Sequence, residues 1–317
     1  MTGKHAFEAL RAAGNALAVD HVAAEVVRRF AEAGIPSVLL RGPTIARHLY
    51  GEDDPREYVD VDLLVRPSAR EQAERLLQDL GFSHRAVLGQ SSVDRPRWAS
   101  TWARDRDGAN VDLHWTIAGA GASPDAVWEA LSEEVDPVEL FGVAVQSPRA
   151  AATALVVALH AAHHGLQVEH TLLDLERALD RFSLSTWEHA AELASAIDAV
   201  PAFAAGIRLL PPGADLAARL SLPDRPTAET LLRGGTPPPM ALGFDWLART
   251  PGFKRKVRLV AAKIVPDRQF MRAWSPLAQS GGRTGLMLAY AWRPFWLLRH
   301  SIPGLRAWLA ARRRIER

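Results

Sequence analysis

At 317 residues, 48% of them apolar and 23% charged, the chain can build real hydrophobic cores and exceeds the usual size of one compact domain. The absence of cysteine excludes a disulfide framework and cysteine-ligated zinc, and fits a reducing cytoplasm. A net charge of +2 is too small to imply nucleic acid by itself, and the longest apolar run, residues 150–159, stops at His160, too short for a transmembrane segment.

Residues 1–10 contain Lys4, His5 and Glu8 and lack the apolar stretch of a secretory signal, so a soluble protein is expected. Alanine and leucine dominate while β-branched residues fall in a few short runs, which predicts many helices and one modest sheet. From 5 to 33, Leu10, Leu17, Val22, Val26 and Phe30 recur at helical spacing up to Gly34. Two helices are predicted there, broken near Gly14-Asn15 or Asp20. Residues 37–40 (SVLL) read as a strand, Arg41-Gly42 as a turn, and Pro43 as the start of a helix to Tyr50. A polar loop covers 51–57. The strand at 58–65 (YVDVDLLV) puts Val59, Val61, Leu63 and Val65 on one face and Asp60, Asp62 and Leu64 on the other. A helix follows from Pro67 to Leu80, closed by Gly81. Residues 97–104 and 110–117 read as a hairpin around Asp107-Gly108, with Asp112, His114 and Thr116 on one face and Val111, Leu113 and Trp115 on the other. Ser147-Pro148 reads as an N-cap and first-turn proline, opening helices that run to Pro211-Pro212-Gly213. Residues 234–239 read as a linker. The tail from Ala291 holds seven arginines against one acid, and Pro294, Pro303 and Gly304 argue against one long helix.

Asp60 and Asp62 share a strand face roughly 6–7 Å apart. Like charges so close are costly unless a cation lies between them, and Mg²⁺, with its preference for oxygen ligands and phosphates, suits the pair. Asp112 joins them if its strand is a neighbour. A solvated acidic strand edge gives the same pattern.

The segments LRGPTIARHLYG, REYVDVDLLV and VDLHW, followed by LHAAHHG and LLDLERAL, resemble the uncharacterised nucleotidyltransferase family of bacteria, a branch of the polymerase-β superfamily. The resemblance spans most of residues 20–210. It implies a glycine turn at Gly42, paired acids at Asp60 and Asp62 and a third at Asp112. These three would be both the catalytic residues and the ligands of Mg²⁺ or Mn²⁺. The branch shows a Lys-Gly pair where this chain has Arg41-Gly42, and an arginine before the acids that Arg56 matches. The superfamily's Gly-Ser pair, whose serine contacts triphosphate, is missing: Pro43 follows Gly42, leaving Thr44 to supply a hydroxyl or Arg41 the phosphate contact.

Arg41 and Arg56 are thus candidates for the triphosphate, Arg56 equally for a surface pair with Glu52, Asp53 or Asp54. His114 is a candidate for phosphate, for a partner of the acids, or for packing. His160, His163 and His164 fit a helix interface better than a metal site, because no glutamate follows the first histidine as in the metalloprotease pattern. The expected architecture is α+β: a nucleotidyltransferase domain with a small mixed sheet (1–146), a helical domain (147–235) and a basic, tryptophan-rich region (236–317). The expected activity moves a nucleoside monophosphate from an NTP, ATP among them, to a hydroxyl or phosphate acceptor: a small molecule, peptide or protein. Nucleic acid is not favoured. The alternative is a non-catalytic nucleotide- or partner-binding module on the same fold. The substrate cleft is expected between sheet and helical segment, reached by at least one of His160, His163, His164 and Asp174.

Overall fold

The computed structural model describes residues 3–51, 54–85, 98–224, 227–233, 237–250, 252–266 and 268–315. The chain divides into two compact units: Met1–His84 with Trp98–Asp224, and Arg225–Arg317 with Arg85–Arg97.

In the first unit α1 (Gly3–Glu32), β1 (Ser37–Leu39), α2 (Pro43–Leu49), β2 (Val61–Val65) and α3 (Arg70–Asp79) follow in order. Next come β3 (Ser83–Arg85), β4 (Ala99–Arg104), β5 (Ala109–His114), α4 (Pro124–Ser132), β6 (Val135–Leu140) and β7 (Val143–Pro148). Five helices close the unit: α5 (Ala150–His164), α6 (Glu169–Arg181), α7 (Leu184–Ala196), α8 (Val200–Ile207) and α9 (Pro211–Arg219). The strands form one mixed sheet in the order β3-β4-β5-β2-β1-β7-β6. β2 lies antiparallel to β1 and parallel to β5, so the two acid-bearing strands are neighbours. The architecture is the expected α+β.

Period-two alternation gives the sheet two apolar faces. Val61, Leu63, Val65, Val111 and Leu113 pack with Val26, Phe30, Ala73 and Leu77 of α1 and α3. On the opposite face Val38, Leu40 and Leu64 join Ile45 and the apolar residues of α5 to α8, including Leu155, Trp187 and Phe203. Asp62 therefore shares its face with a hydrophobic layer, not with an open one.

Two local expectations change. α1 is one helix through Gly14 and Asp20. A helical glycine costs only about 1 kcal/mol, and the Asp20 carboxylate accepts a bond from the Tyr58 hydroxyl at 2.8 Å instead of capping a break. Ser147 and Pro148 end β7, paired with Asp136 and Val135, and α5 starts two residues later behind Arg149 without a side-chain cap. The β6–β7 hairpin was missed in the sequence. Of the linker read at 234–239, residues 234–236 lie outside the described ones.

The second unit contains α10 (Ala228–Arg233), α11 (Ala241–Arg249), α12 (Phe253–Ile264), α13 (Arg268–Trp274), α14 (Pro276–Ser280) and α15 (Gly282–Ile315). α15 runs unbroken through Pro294 and Pro303, against expectation. Each interior proline costs about 3 kcal/mol, but tertiary contacts hold the helix before Pro294. Arg293 Nε donates to the Lys263 carbonyl at 2.8 Å, and the Tyr290 hydroxyl donates to the Pro266 carbonyl at 2.7 Å. At Gly285 a Cβ would lie 2.0 Å from the Leu277 carbonyl oxygen, so only glycine lets α15 approach α14 this closely. Among the described residues no helix is long and apolar enough to cross a membrane.

Candidate active site

Parallel pairing of β2 with β5 sets Asp62 beside Asp112 and Leu64 beside His114. Because alternate side chains leave a strand on one face, Asp62, Asp112 and His114 converge. Each offers a ligand atom within 4.8 Å of the others. Asp60 precedes β2 and stands outside that trio, whereas His114 stands inside it.

Asp62 is buried and binds two partners. The Arg41 guanidinium donates to its Oδ1, and His114 Nε2 donates to the same oxygen at 3.0 Å. A carboxylate only accepts, which fixes the direction of both bonds. Burial opposes ionisation of Asp62, yet Arg41 and His114 outweigh it and hold the carboxyl below its ordinary range. Asp60 goes the other way. Burial first, then the charge of Asp62, push its carboxyl up to about 6, with Arg41 only partly compensating.

Gly42 makes the turn that presents Arg41. Its φ is +66°, and a Cβ there would press on the Tyr58 ring at 3.3 Å, so the position suits glycine on two counts. Arg41 also donates to His160 Nδ1. Guanidinium has no acceptor, so the imidazole nitrogen must be the acceptor. Burial and the Arg41 charge hold His160 well below its ordinary pKa, which keeps that lone pair free. The ring of His160 packs edge-on to His164 at 4.6 Å, and His163 packs against Trp98 at 5.1 Å. His160 is thus bonded to a site arginine.

The remaining candidates are engaged internally. The Thr44 hydroxyl donates to the Leu39 carbonyl at 2.7 Å and meets Ser147 Oγ at 2.9 Å. It serves to join β1, α2 and β7. Arg56 is buried and pairs with Asp174 of α6 through Nε at 2.9 Å and Nη2 at 2.7 Å. The Tyr50 hydroxyl donates to the same carboxylate at 2.7 Å. Of the surface partners weighed for Arg56, Asp54 pairs with Arg177, and Glu52 and Asp53 lie outside the described residues. Asp174 was noted in the sequence as a cleft residue. Its role as the anchor of Arg56, 118 positions away, had no local signal.

The donor set fits a divalent cation. Two carboxylates from adjacent strands stand with an imidazole whose Nδ1 is buried without a hydrogen-bond partner among the described residues. A third carboxyl beside them resists ionisation in the absence of added positive charge. Carboxylate oxygens suit Mg²⁺, and the imidazole widens the choice to Mn²⁺.

Acids on neighbouring strands and a glycine turn at Gly42 are what the resemblance in the sequence implies. The chain belongs to the uncharacterised nucleotidyltransferase family, which it matches over residues 6–211. It is similar to the antibiotic-resistance factor ANT(2'')-Ia in its solution structure (TM-score 0.40, 16% identity, 56% of this chain and 91% of that chain). A crystal structure of ANT(2'')-Ia in complex with adenylyl-2''-tobramycin is similar at TM-score 0.37 and 15% identity, over 54% of this chain and 93% of that one. No curated protein sequence matches the chain.

Proposed function

We propose that this nucleotidyltransferase is metal-dependent and moves a nucleoside monophosphate from an NTP to a hydroxyl or phosphate acceptor at the Asp60–Asp62–Asp112 site. The observation that carries the reading is the registered pair Asp62 and Asp112 with His114 beside them. Asp62 and Asp112, with Asp60 or His114, would hold Mg²⁺ or Mn²⁺, which supplies charge neutralisation at the phosphates and a more acidic acceptor hydroxyl. Asp112, the less buried of the paired acids, would take the acceptor proton. Arg41 brings a positive charge to the developing pyrophosphate. His160 steadies its guanidinium without adding charge, because it stays neutral. Arg56 acts from behind: its pair with Asp174 ties the residues before β2 to α6.

The test is incubation with labelled NTPs, Mg²⁺ or Mn²⁺ and cell lysate, followed by detection of pyrophosphate and of a labelled acceptor. Isothermal titration should show NTP binding tighter with Mg²⁺ than without it; equal affinity counts against bridging by metal. The second reading, a nucleotide-binding module without turnover, draws on the engaged hydroxyl of Thr44, which leaves no serine-like contact at the glycine turn. Saturable NTP binding with no pyrophosphate release would favour it.

A further inference from the structure

We propose that the second unit docks on an anionic lipid surface, with the outer face of α15 lying in the membrane interface. The first observation is charge. Residues 225–317 hold 18 Lys and Arg against 4 Asp and Glu, although the whole chain carries only +2.

The second observation is where the apolar side chains sit. On α15 the positions 288, 292, 295, 299, 302, 306, 309 and 313 follow at steps of three and four, and so share one face. Leu288, Trp292, Phe295, Ile302 and Leu309 occupy five of them, and Trp292, Phe295 and Ile302 are 56%, 65% and 60% exposed. The other three are Arg299, Arg306 and Arg313, all exposed. The opposite side of the helix carries the buried Gly285, Ala289, Arg293, Leu297, Gly304 and Ala311. α15 therefore has one face in the unit and one apolar face, studded with arginine, that is exposed among the described residues. α12 repeats the chemistry. Phe253, Val257, Val260 and Ile264 form an exposed stripe beside Lys254 and Lys256, and the stripe lines an open apolar groove of about 640 Å³.

The occupant follows from the two features together. Large apolar side chains with basic ones among them match acyl chains below anionic headgroups, where the arginines can extend to phosphate while their neighbours insert. A second copy of the chain would bring like-charged arginine faces together. RNA would use the arginines and leave Leu288, Ile302 and Leu309 in water. Among the described residues no helix is long and apolar enough to cross a membrane, and the proposed contact is an interfacial one.

The experiment uses the full-length protein and vesicles of phosphatidylcholine, alone or mixed with phosphatidylglycerol. Sedimentation should occur with the anionic vesicles only and weaken with salt. Arg299→Gln, Arg306→Gln and Arg313→Gln together should weaken it about a hundredfold, near fivefold each. Phe295→Ser with Ile302→Ser should weaken it at least about tenfold, without lowering the unfolding temperature, because both side chains are exposed. In the wild type, brominated lipid should quench tryptophan emission, and Trp292→Phe should remove part of that quenching. No sedimentation with anionic vesicles overturns the proposal. So does binding that needs the arginines but ignores Phe295→Ser with Ile302→Ser, the behaviour of a simple polyanion site. A dimer that those two substitutions dissolve, without vesicle binding, assigns the face to a second copy instead.

Discussion

The first unit keeps most of its large apolar side chains inside, with Leu17, Val59, Phe141 and Leu166 among the exceptions, and buries several charges in pairs, whereas the second leaves many large apolar side chains outside and most of its charges in solvent. Asp62 with Arg41, and Asp174 with Arg56, are buried ion pairs in the first unit, and Trp187, Phe30 and Phe203 are among its wholly buried side chains. In the second, the buried clusters are small, Ala228, Leu232, Ala241 and Ala311 in one, Phe270, Met271, Ala278 and Ala289 in the other. Its helices α12 and α15 expose Phe253, Trp292, Phe295 and Leu298. Buried charge is expensive, so a fold retains it where geometry must be held, as around an active site. Exposed apolar surface is equally unfavourable in water and points to a surface that meets something less polar. One unit is organised to position chemistry, the other to contact a partner.

The largest effect that can test this contrast is catalytic. Asp62→Asn and Asp112→Asn should each lower nucleotidyl transfer by roughly a thousandfold or more, since the ligand set for the ions is broken. Circular dichroism should stay close to wild type. Full turnover in either variant would remove the assignment of the site.

Next comes the buried pair behind it. Arg56→Ala or Asp174→Ala should each destabilise the first unit by about 3–5 kcal/mol, because the remaining charge is left buried without its partner. Denaturant unfolding measures this. A loss below about 1 kcal/mol would mean that the pair behaves like one at the surface.

Asp60 gives a pH-dependent effect of opposite sign. Its folded pKa of about 6 stands above the ordinary 3.8 of an aspartate, so the fold favours the protonated acid. The stability this provides is present below about 3.8 and lost as pH rises through 6. Asp60→Asn should therefore raise unfolding free energy at pH 7 by about 1–3 kcal/mol in metal-free buffer, little or nothing near pH 4, and less in Mg²⁺. A destabilised variant at pH 7 would show that the Asp60 charge is already compensated.

The smallest effect is expected on α15. Phe295→Ser should change the unfolding free energy by no more than about 0.5 kcal/mol, as for a surface position, while Trp187→Ala in the first unit should cost about 3–5 kcal/mol. A comparable loss at both sites would erase the distinction between the units.

Much of the site was legible because strand periodicity is local. Alternation in YVDVDLLV and NVDLH put Asp62, Asp112 and His114 on their faces before any pairing was known, and Gly42 marked the turn between strand and helix. Local signals also placed α2, β2, the end of α3 and the β4–β5 hairpin. What they left open depends on residues far apart in the chain. The parallel register of β2 and β5 joins Asp62 to Asp112 across 50 positions, and no turn signal encodes it. The partners of Arg56 and Arg41, Asp174 and His160, come from α6 and α5. The same holds for α1 and α15, where Gly14, Pro294 and Pro303 read as breaks. Their cost is local and was visible in the sequence. The packing that offsets it is assembled from distant elements, and only the tertiary structure decides the balance.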